Sequence, residues 1–363
     1  NDQYLPRIKW TKDPNVLSVQ RLNRLQNKWE LLMVTGTAVE LAIEEKNKYY
    51  VEITDEVYFL PDGMHMIVSS ESSGYKHLYF HKVNGPQIYQ ITKGDWEVTS
   101  VLGIDDANET IYFTSTEVES TERHIYSIDF QGKNKKRLTT ETGWHTAQFS
   151  KDFSLVLHSF TTATSPHVYT IKNNVWETQR VVEDNQAFVE RNAAFKQGEV
   201  VFDKLTVNGT ELNYWIIKPV GFVDTIKYPV LMHVYGGPGS QTVKNSFGYS
   251  NHFWHQMLAN KHNIIIVSVD NRGTGAKGEE FKKMTYKQLG KYETEDQIGA
   301  AKELAKLSYV DGERIGIWGW SYGGYMSSLA LAKGNDVFKM AIAVAPVSNW
   351  RFYDNIYTER YMA

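Results

Sequence analysis

The chain has 363 residues, 42% of them apolar and 22% charged, with a formal net charge of −3; these values exclude a disordered or fibrous chain, and the lack of a basic excess gives no footprint for nucleic acid. There is no cysteine, which removes disulfides, thiolate metal sites and a cysteine nucleophile, and no run of about 18 apolar residues, which removes a membrane-spanning helix. The length suggests two domains, and the start at Asn1 without a secretory signal suggests processing or an incomplete record at that end.

Residues 1–190 read as a repeated β array. Aromatic residues reach 13% of the chain, with 22 Tyr and 10 Trp, and in this half they fall in short runs between polar turns. His77-Leu78-Tyr79-Phe80, His124-Ile125-Tyr126-Ser127 and His167-Val168-Tyr169-Thr170 begin 47 residues apart (77 to 124) and then 43 apart (124 to 167). Trp96 and Trp144, each just after a Thr-containing turn, are 48 apart. A period in the mid-forties with alternating Val, Ile, Tyr and Phe marks four-stranded propeller blades, and the rings would fill the space between them. The repeated histidines are expected to face a neighbouring strand or solvent and not to bind a metal. About three to four blades fit, fewer than a closed ring, so further blades upstream or another chain would complete it.

Residues 191–363 change period. Val200 to Leu205 and Glu211 to Lys218 form a hairpin around Asn208-Gly209. Apolar strands follow at Val230 to Tyr235, Ile264 to Val269, Arg314 to Trp318 and Met340 to Ala345. They alternate with helices at Asn251 to Asn260, Thr294 to Leu307 and Gly323 to Ala332. Thr294 with Gln297 is expected to form a capping box, and Ile298, Ala301, Leu304 and Ala305 the apolar helix face. This alternation predicts a doubly wound, mostly parallel sheet.

Gly319-Trp320-Ser321-Tyr322-Gly323 fits G-x-S-x-G with an apolar strand before it and a helix after it, the context of a nucleophile elbow. Ser321 is therefore the candidate nucleophile, and the Tyr322 N–H at the following helix N-terminus is a candidate oxyanion donor. Tyr235-Gly236-Gly237-Pro238 stands where a second donor should lie. A serine nucleophile needs a base, and in this fold the acid and then the His follow the Ser. All 11 histidines lie at or before His262, and the acids after Ser321 are Asp336, Asp354 and Glu359. His233, His252, His255 and His262 are expected to be structural.

These residues carry a resemblance. Gly319 to Tyr325, reading Gly-Trp-Ser-Tyr-Gly-Gly-Tyr, resembles the nucleophile motif of the dipeptidyl peptidase IV branch of the prolyl oligopeptidase family. Ala345-Pro346-Val347-Ser348, Trp350, Tyr353-Asp354 and Tyr357 to Met362 match its next signature, and Val234 to Pro238, Asp270 to Gly275 and Gly290 to Gln297 match others. Ser73 to His77 and Thr92 to Val98 match more loosely. The resemblance implies an eight-bladed propeller joined to an α/β-hydrolase domain. It implies a serine exopeptidase, without cofactor or metal, that releases N-terminal dipeptides with Pro or Ala second through an acyl-enzyme on Ser321. The Tyr235 hydroxyl and Tyr322 N–H would form the oxyanion hole, and Val347, Trp350, Tyr353 and Tyr357 would line the proline pocket.

By the same resemblance this is an internal piece. The triad Asp and His and the amine-binding Glu pair fall outside it, and Glu44-Glu45 is read as a solvated pair. The piece alone is expected to be inactive and poorly folded. The expected partners are peptides with penultimate proline. Homodimerisation is left open, and a bacterial periplasmic or extracellular location is favoured. A tripeptidyl peptidase, an acylaminoacyl peptidase or esterase, and a non-catalytic propeller module remain as alternatives.

Overall fold

A computed structural model describes residues 2–248 and 251–363. The first half consists of four antiparallel sheets of four strands, each ordered along the chain. The first blade holds β1 (Gln3–Trp10), β2 (Val16–Asn23), β3 (Lys28–Thr35) and β4 (Ala38–Lys46). The second holds β5 (Val57–Phe59), β6 (His65–Ser70), β7 (His77–Lys82) and β8 (Gln87–Gln90). The third holds β9 (Val98–Asp105), β10 (Thr110–Ser115), β11 (His124–Asp129) and β12 (Lys136–Arg137). The fourth holds β13 (Trp144–Phe149), β14 (Leu155–Thr161), β15 (Val168–Asn173) and β16 (Thr178–Glu183). The count is four, the upper end of the expected range. The first blade lacks the His-x-Tyr run, because its third strand reads Lys-Trp-Glu-Leu-Leu-Met-Val-Thr.

Apolar residues of these strands pack in clusters between neighbouring blades. One core cluster joins the first and second blades through Leu22, Trp29, Val57 and Met66. Another joins the second and third through Ile67, Leu78, Trp96, Ile111 and Phe113. Trp96 stacks on Phe113 with ring centroids 6.1 Å apart. Trp144 instead lies under the Arg123 guanidinium at 4.4 Å.

Of the repeated histidines, His167 is partly buried and meets the neighbouring strand at Ser159 Oγ, 3.0 Å away, as expected, whereas the other two are not at the solvent face. His77 and His124 are buried. His77 Nδ1 lies 3.0 Å from Thr92 Oγ1 and His124 Nδ1 lies 3.2 Å from Thr139 Oγ1. Both threonine hydroxyls also accept a backbone N–H from the residue after the histidine. In the second and third blades the repeat is thus a polar latch between the third strand and the exit loop. The Glu44-Glu45 pair also departs from expectation. Neighbours on a strand point to opposite faces, so Glu44 meets Lys28 and Lys46 at the surface while Glu45 turns inward and accepts from Ser70 Oγ at 2.8 Å. Burial raises the Glu45 carboxyl above its usual range.

Helix α1 (Gln186–Ala193) lies between the last blade and a six-stranded sheet. That sheet contains β17 (Glu199–Val207), β18 (Thr210–Lys218), β19 (Tyr228–His233), β20 (Ile265–Val269), β21 (Val310–Trp320) and β22 (Phe338–Val344), ordered β17-β18-β20-β19-β21-β22. β17 and β18 form the antiparallel hairpin, and β18 pairs antiparallel with β20. From β20 to β22 the pairings are parallel. The intervening helices are α2 (His252–His262), α3 (Gly278–Lys283), α4 (Tyr292–Leu304) and α5 (Tyr322–Lys333), and α6 (Asn355–Met362) follows β22. Among the described residues no helix is long and apolar enough to cross a membrane.

The expected capping box does not form. α4 starts two residues earlier than expected, so Thr294 lies inside its first turn, where its hydroxyl donates to Gly290 O at 2.6 Å. Gln297 points into the sheet and donates to Val269 O and Asn271 Oδ1, both at 3.0 Å.

The two halves are bound by polar contacts. Gln241 Nε2 donates to Ser120 O at 2.7 Å, and Arg123 donates to Gln241 Oε1 at 2.8 Å. Lys282 pairs with Glu52 and Glu71, and Lys283 donates to Tyr50 O at 2.6 Å. The first blade grips α6: Gln26 donates to Ile356 O at 2.6 Å and accepts from Arg360 Nε at 2.8 Å, while Tyr4 and Arg24 donate to Glu359.

Candidate active site

Ser321 lies between β21 and α5, at the carboxyl edge of the parallel strands. Its backbone sits at φ 57°, ψ −115°, a conformation that side-chain-bearing residues rarely adopt. Two glycines permit the turn. A Cβ on Gly319 or on Gly323 would run into Val234 O, because β19 and the start of α5 touch there. The Ser321 N–H is tied to Val344 O at 2.9 Å, which anchors the turn to β22. Tyr322 opens α5, so its N–H lies among the unpaired donors at the positive end of the helix.

The loop after β19 approaches the same point. Tyr235 is 38% exposed and its ring centroid lies 6.1 Å from that of Tyr322. Burial, with a smaller effect from Tyr353, pushes its phenol pKa upward, so the hydroxyl keeps its proton at neutral pH. Gly236 O accepts from Asn271 Nδ2 at 3.1 Å, and Asn271 Oδ1 accepts from Gln297. Arg272 makes a two-pronged pair with the fully buried Asp296, its Nη2 reaching Oδ1 at 2.7 Å. The Asp270-to-Gly275 and Glu295-Asp296-Gln297 segments therefore form one polar scaffold beneath the Tyr235 loop.

A cluster of aromatic rings from the segment after β22 packs on Tyr322, the residue next to Ser321. Trp350 lies in a 3-10 turn (Trp350–Phe352) and Tyr357 in α6, and their rings stack 5.6 Å apart at 10°. Tyr353 stands edge-on to both, at 5.6 Å and 5.2 Å. Trp350 also contacts Tyr322 at 5.7 Å. Val347 is half-buried in the segment that leads from β22 to Trp350. Asn349 and Asp354 set these two short elements by capping Arg351 N and Tyr357 N at 3.0 and 2.9 Å.

The upstream histidines stand elsewhere. His233 and His255 pack against Trp318, on the face of the sheet opposite Tyr322, and the Trp318 indole N–H donates to His255 Nε2 at 3.2 Å. Burial pushes His233 down to about 4; burial and the neighbouring histidines push His255 down to about 2. They are part of a neutral packed layer.

Sequence reasoning missed the role of Glu293. It is buried and accepts the Tyr322 hydroxyl at 2.6 Å. An acid in the first turn of a helix suits the macrodipole anywhere, and nothing in the sequence linked it to a ring 29 residues on.

Comparison with known proteins agrees with this architecture. Residues 1–167 match the dipeptidyl peptidase IV N-terminal region, and residues 249–363 match the prolyl oligopeptidase family. The chain is 36% identical to "Probable dipeptidyl peptidase 4" of Aspergillus flavus, over 88% of this chain and 40% of that one. It is 34% identical to "Probable dipeptidyl-aminopeptidase B" of Podospora anserina, over 100% of this chain and 41% of that one. The crystal structure of Porphyromonas gingivalis dipeptidyl peptidase 4 superposes with a TM-score of 0.94 at 40% identity, covering 99% of this chain and 51% of that one. The chain thus spans about half the length, or less, of the relatives it matches. With residues 1–167 and 249–363 matched by its two models and relatives 34–40% identical over 88% or more of the chain, the chain belongs to the prolyl oligopeptidase family of serine peptidases, in its dipeptidyl peptidase IV branch.

Proposed function

We propose that the full-length protein is a serine exopeptidase that removes N-terminal dipeptides ending in Pro or Ala. One observation carries the reading: Tyr322, the residue after the strained Ser321, packs on Trp350, which is clustered with Tyr353 and Tyr357. Flat rings enclose a pyrrolidine without needing an N–H that proline lacks. Ser321 Oγ attacks the carbonyl carbon of this second residue, and its proton passes through the general base to the departing amine nitrogen. The oxyanion accepts from the Tyr322 N–H and the Tyr235 hydroxyl, the amine leaves, and water hydrolyses the acyl-enzyme. His233 and His255 pack against Trp318 on the opposite face of the sheet, so neither serves as the general base in this reading.

A panel of chromogenic amides tests the reading on the full-length protein. Xaa-Pro and Xaa-Ala amides with a free amine are expected to be cleaved, and their N-acetylated forms not. Preference for acetylated residues, for tripeptides, or for alkyl esters regardless of proline would overturn it. Tyr235→Phe is expected to lower kcat by roughly 10²–10³-fold, the cost of one oxyanion donor; an unchanged kcat removes Tyr235 from that role.

A further inference from the structure

Glu293 is a buried acid that the reaction outlined above does not use. It stands in the first turn of α4, fully shielded from solvent. One carboxyl oxygen accepts the Tyr322 hydroxyl at 2.6 Å and the other accepts the Gly290 N–H at 3.0 Å. Both oxygens are thus committed to groups of defined direction. Tyr322 directly follows Ser321, and its ring borders Tyr235, Tyr325 and Trp350. The Tyr235 loop also closes on that ring: a Cβ on Gly237 would lie 3.1 Å from Tyr322 Cγ. The side chain is therefore anchored at its far end by the hydroxyl and packed along its faces, which restrains the backbone to which it is attached.

We propose that Glu293 is a positioning residue that, through the Tyr322 hydroxyl, holds the Tyr322 backbone N–H where the oxyanion forms. The proposal rests on the peptidase reading above. Burial raises the carboxyl to about 7. The groups that face it are Asp296 from its own helix, itself paired with Arg272, Tyr322 and Tyr325 from α5, and Tyr357 from α6. The link to Tyr322 exists in both protonation states. The carboxylate accepts from the phenol; the neutral acid can donate to the phenol oxygen while its carbonyl accepts from Gly290.

The test measures kcat and KM on an Xaa-Pro amide in the full-length protein, with active serines counted by a fluorophosphonate label. Glu293→Ala and Tyr322→Phe are each expected to lower kcat per labelled site by roughly 10-fold or more, with KM nearly unchanged. The double variant should be no worse than the poorer single one, because both changes break the same link. Glu293→Gln should recover activity to within roughly threefold, since its amide can accept from Gly290 and donate to Tyr322. Additive losses in the double variant, or an effect on KM alone, would overturn the proposal. If Glu293→Ala does not fold, Tyr322→Phe decides: a wild-type kcat refutes the link. Activity that survives Ser321→Ala overturns the peptidase reading itself, whereas an inactive Ser321→Ala beside a fully active Tyr322→Phe overturns only the role of Glu293.

Discussion

Ser321→Ala in the full-length protein is expected to lower kcat on an Xaa-Pro amide by roughly 10⁶-fold, the scale seen when a triad nucleophile is removed. The next serines along the chain are not placed to substitute. Ser327 and Ser328, on the same helix, donate back to Gly323 O and Gly324 O at 2.8 and 2.9 Å, which turns them along α5 and away from the elbow. Stability should change little. Alanine suffers the same positive φ as serine, and Ser321 holds its place through its backbone N–H, which the substitution keeps. The check pairs a kinetic assay with a thermal melt: a folded variant that retains measurable turnover would show that Ser321 is not the nucleophile. A variant that loses both activity and fold would contradict the claim that the backbone alone holds the elbow.

Much of this arrangement was legible in the residue order, and the limits have physical causes. The elbow was readable because its demands are local: apolar strand, flanking glycines, serine, helix. The blades were readable where the latch between His and Thr repeats, and the first blade was harder because its third strand fills that place with Trp29 and Leu31. The pocket could be assembled only through the family likeness, since Tyr235 and Tyr357 are 122 residues apart (235 to 357) and nothing in either segment names the other. The capping box failed because a Thr and a Gln three apart satisfy the pattern wherever they fall. Here tertiary partners, Gly290 O and Val269 O, took their hydrogen bonds. Glu45 was misread because a double acid looks solvated in sequence, while strand alternation sends one of the two inward. Buried polar residues were the hardest class. Asn271, Arg272, Glu293 and Asp296 look like surface residues until the sheet closes over them.

Among those buried residues, Arg272→Ala is expected to destabilise the protein by about 3–5 kcal/mol, because breaking a buried pair leaves the partner charge uncompensated. Asp296 has no exposed surface, and among the described residues it accepts, apart from its bonds to the guanidinium, only the Arg272 N–H, at 2.8 Å. The guanidinium also lies over the Tyr292 ring at 4.5 Å, so alanine removes packing as well as charge. Arg272→Lys should recover only part of the loss, since an ammonium cannot make the two-pronged contact. Arg272→Ala together with Asp296→Ala should cost less than the sum of the two single changes, because the pair is one unit. Lys306→Ala provides the contrast: its pair with Glu303 is largely exposed, at 69% and 42%, and its loss should fall within about 0.5 kcal/mol. Activity should follow the scaffold. Arg272 is joined in sequence to Asn271, which holds Gly236 O, so loosening this segment should lower kcat in the fraction that still folds. Urea unfolding of the full-length protein with these variants checks the claim; a midpoint for Arg272→Ala equal to wild type would mean that solvent or another cation reaches Asp296, and the scaffold would then not depend on this pair.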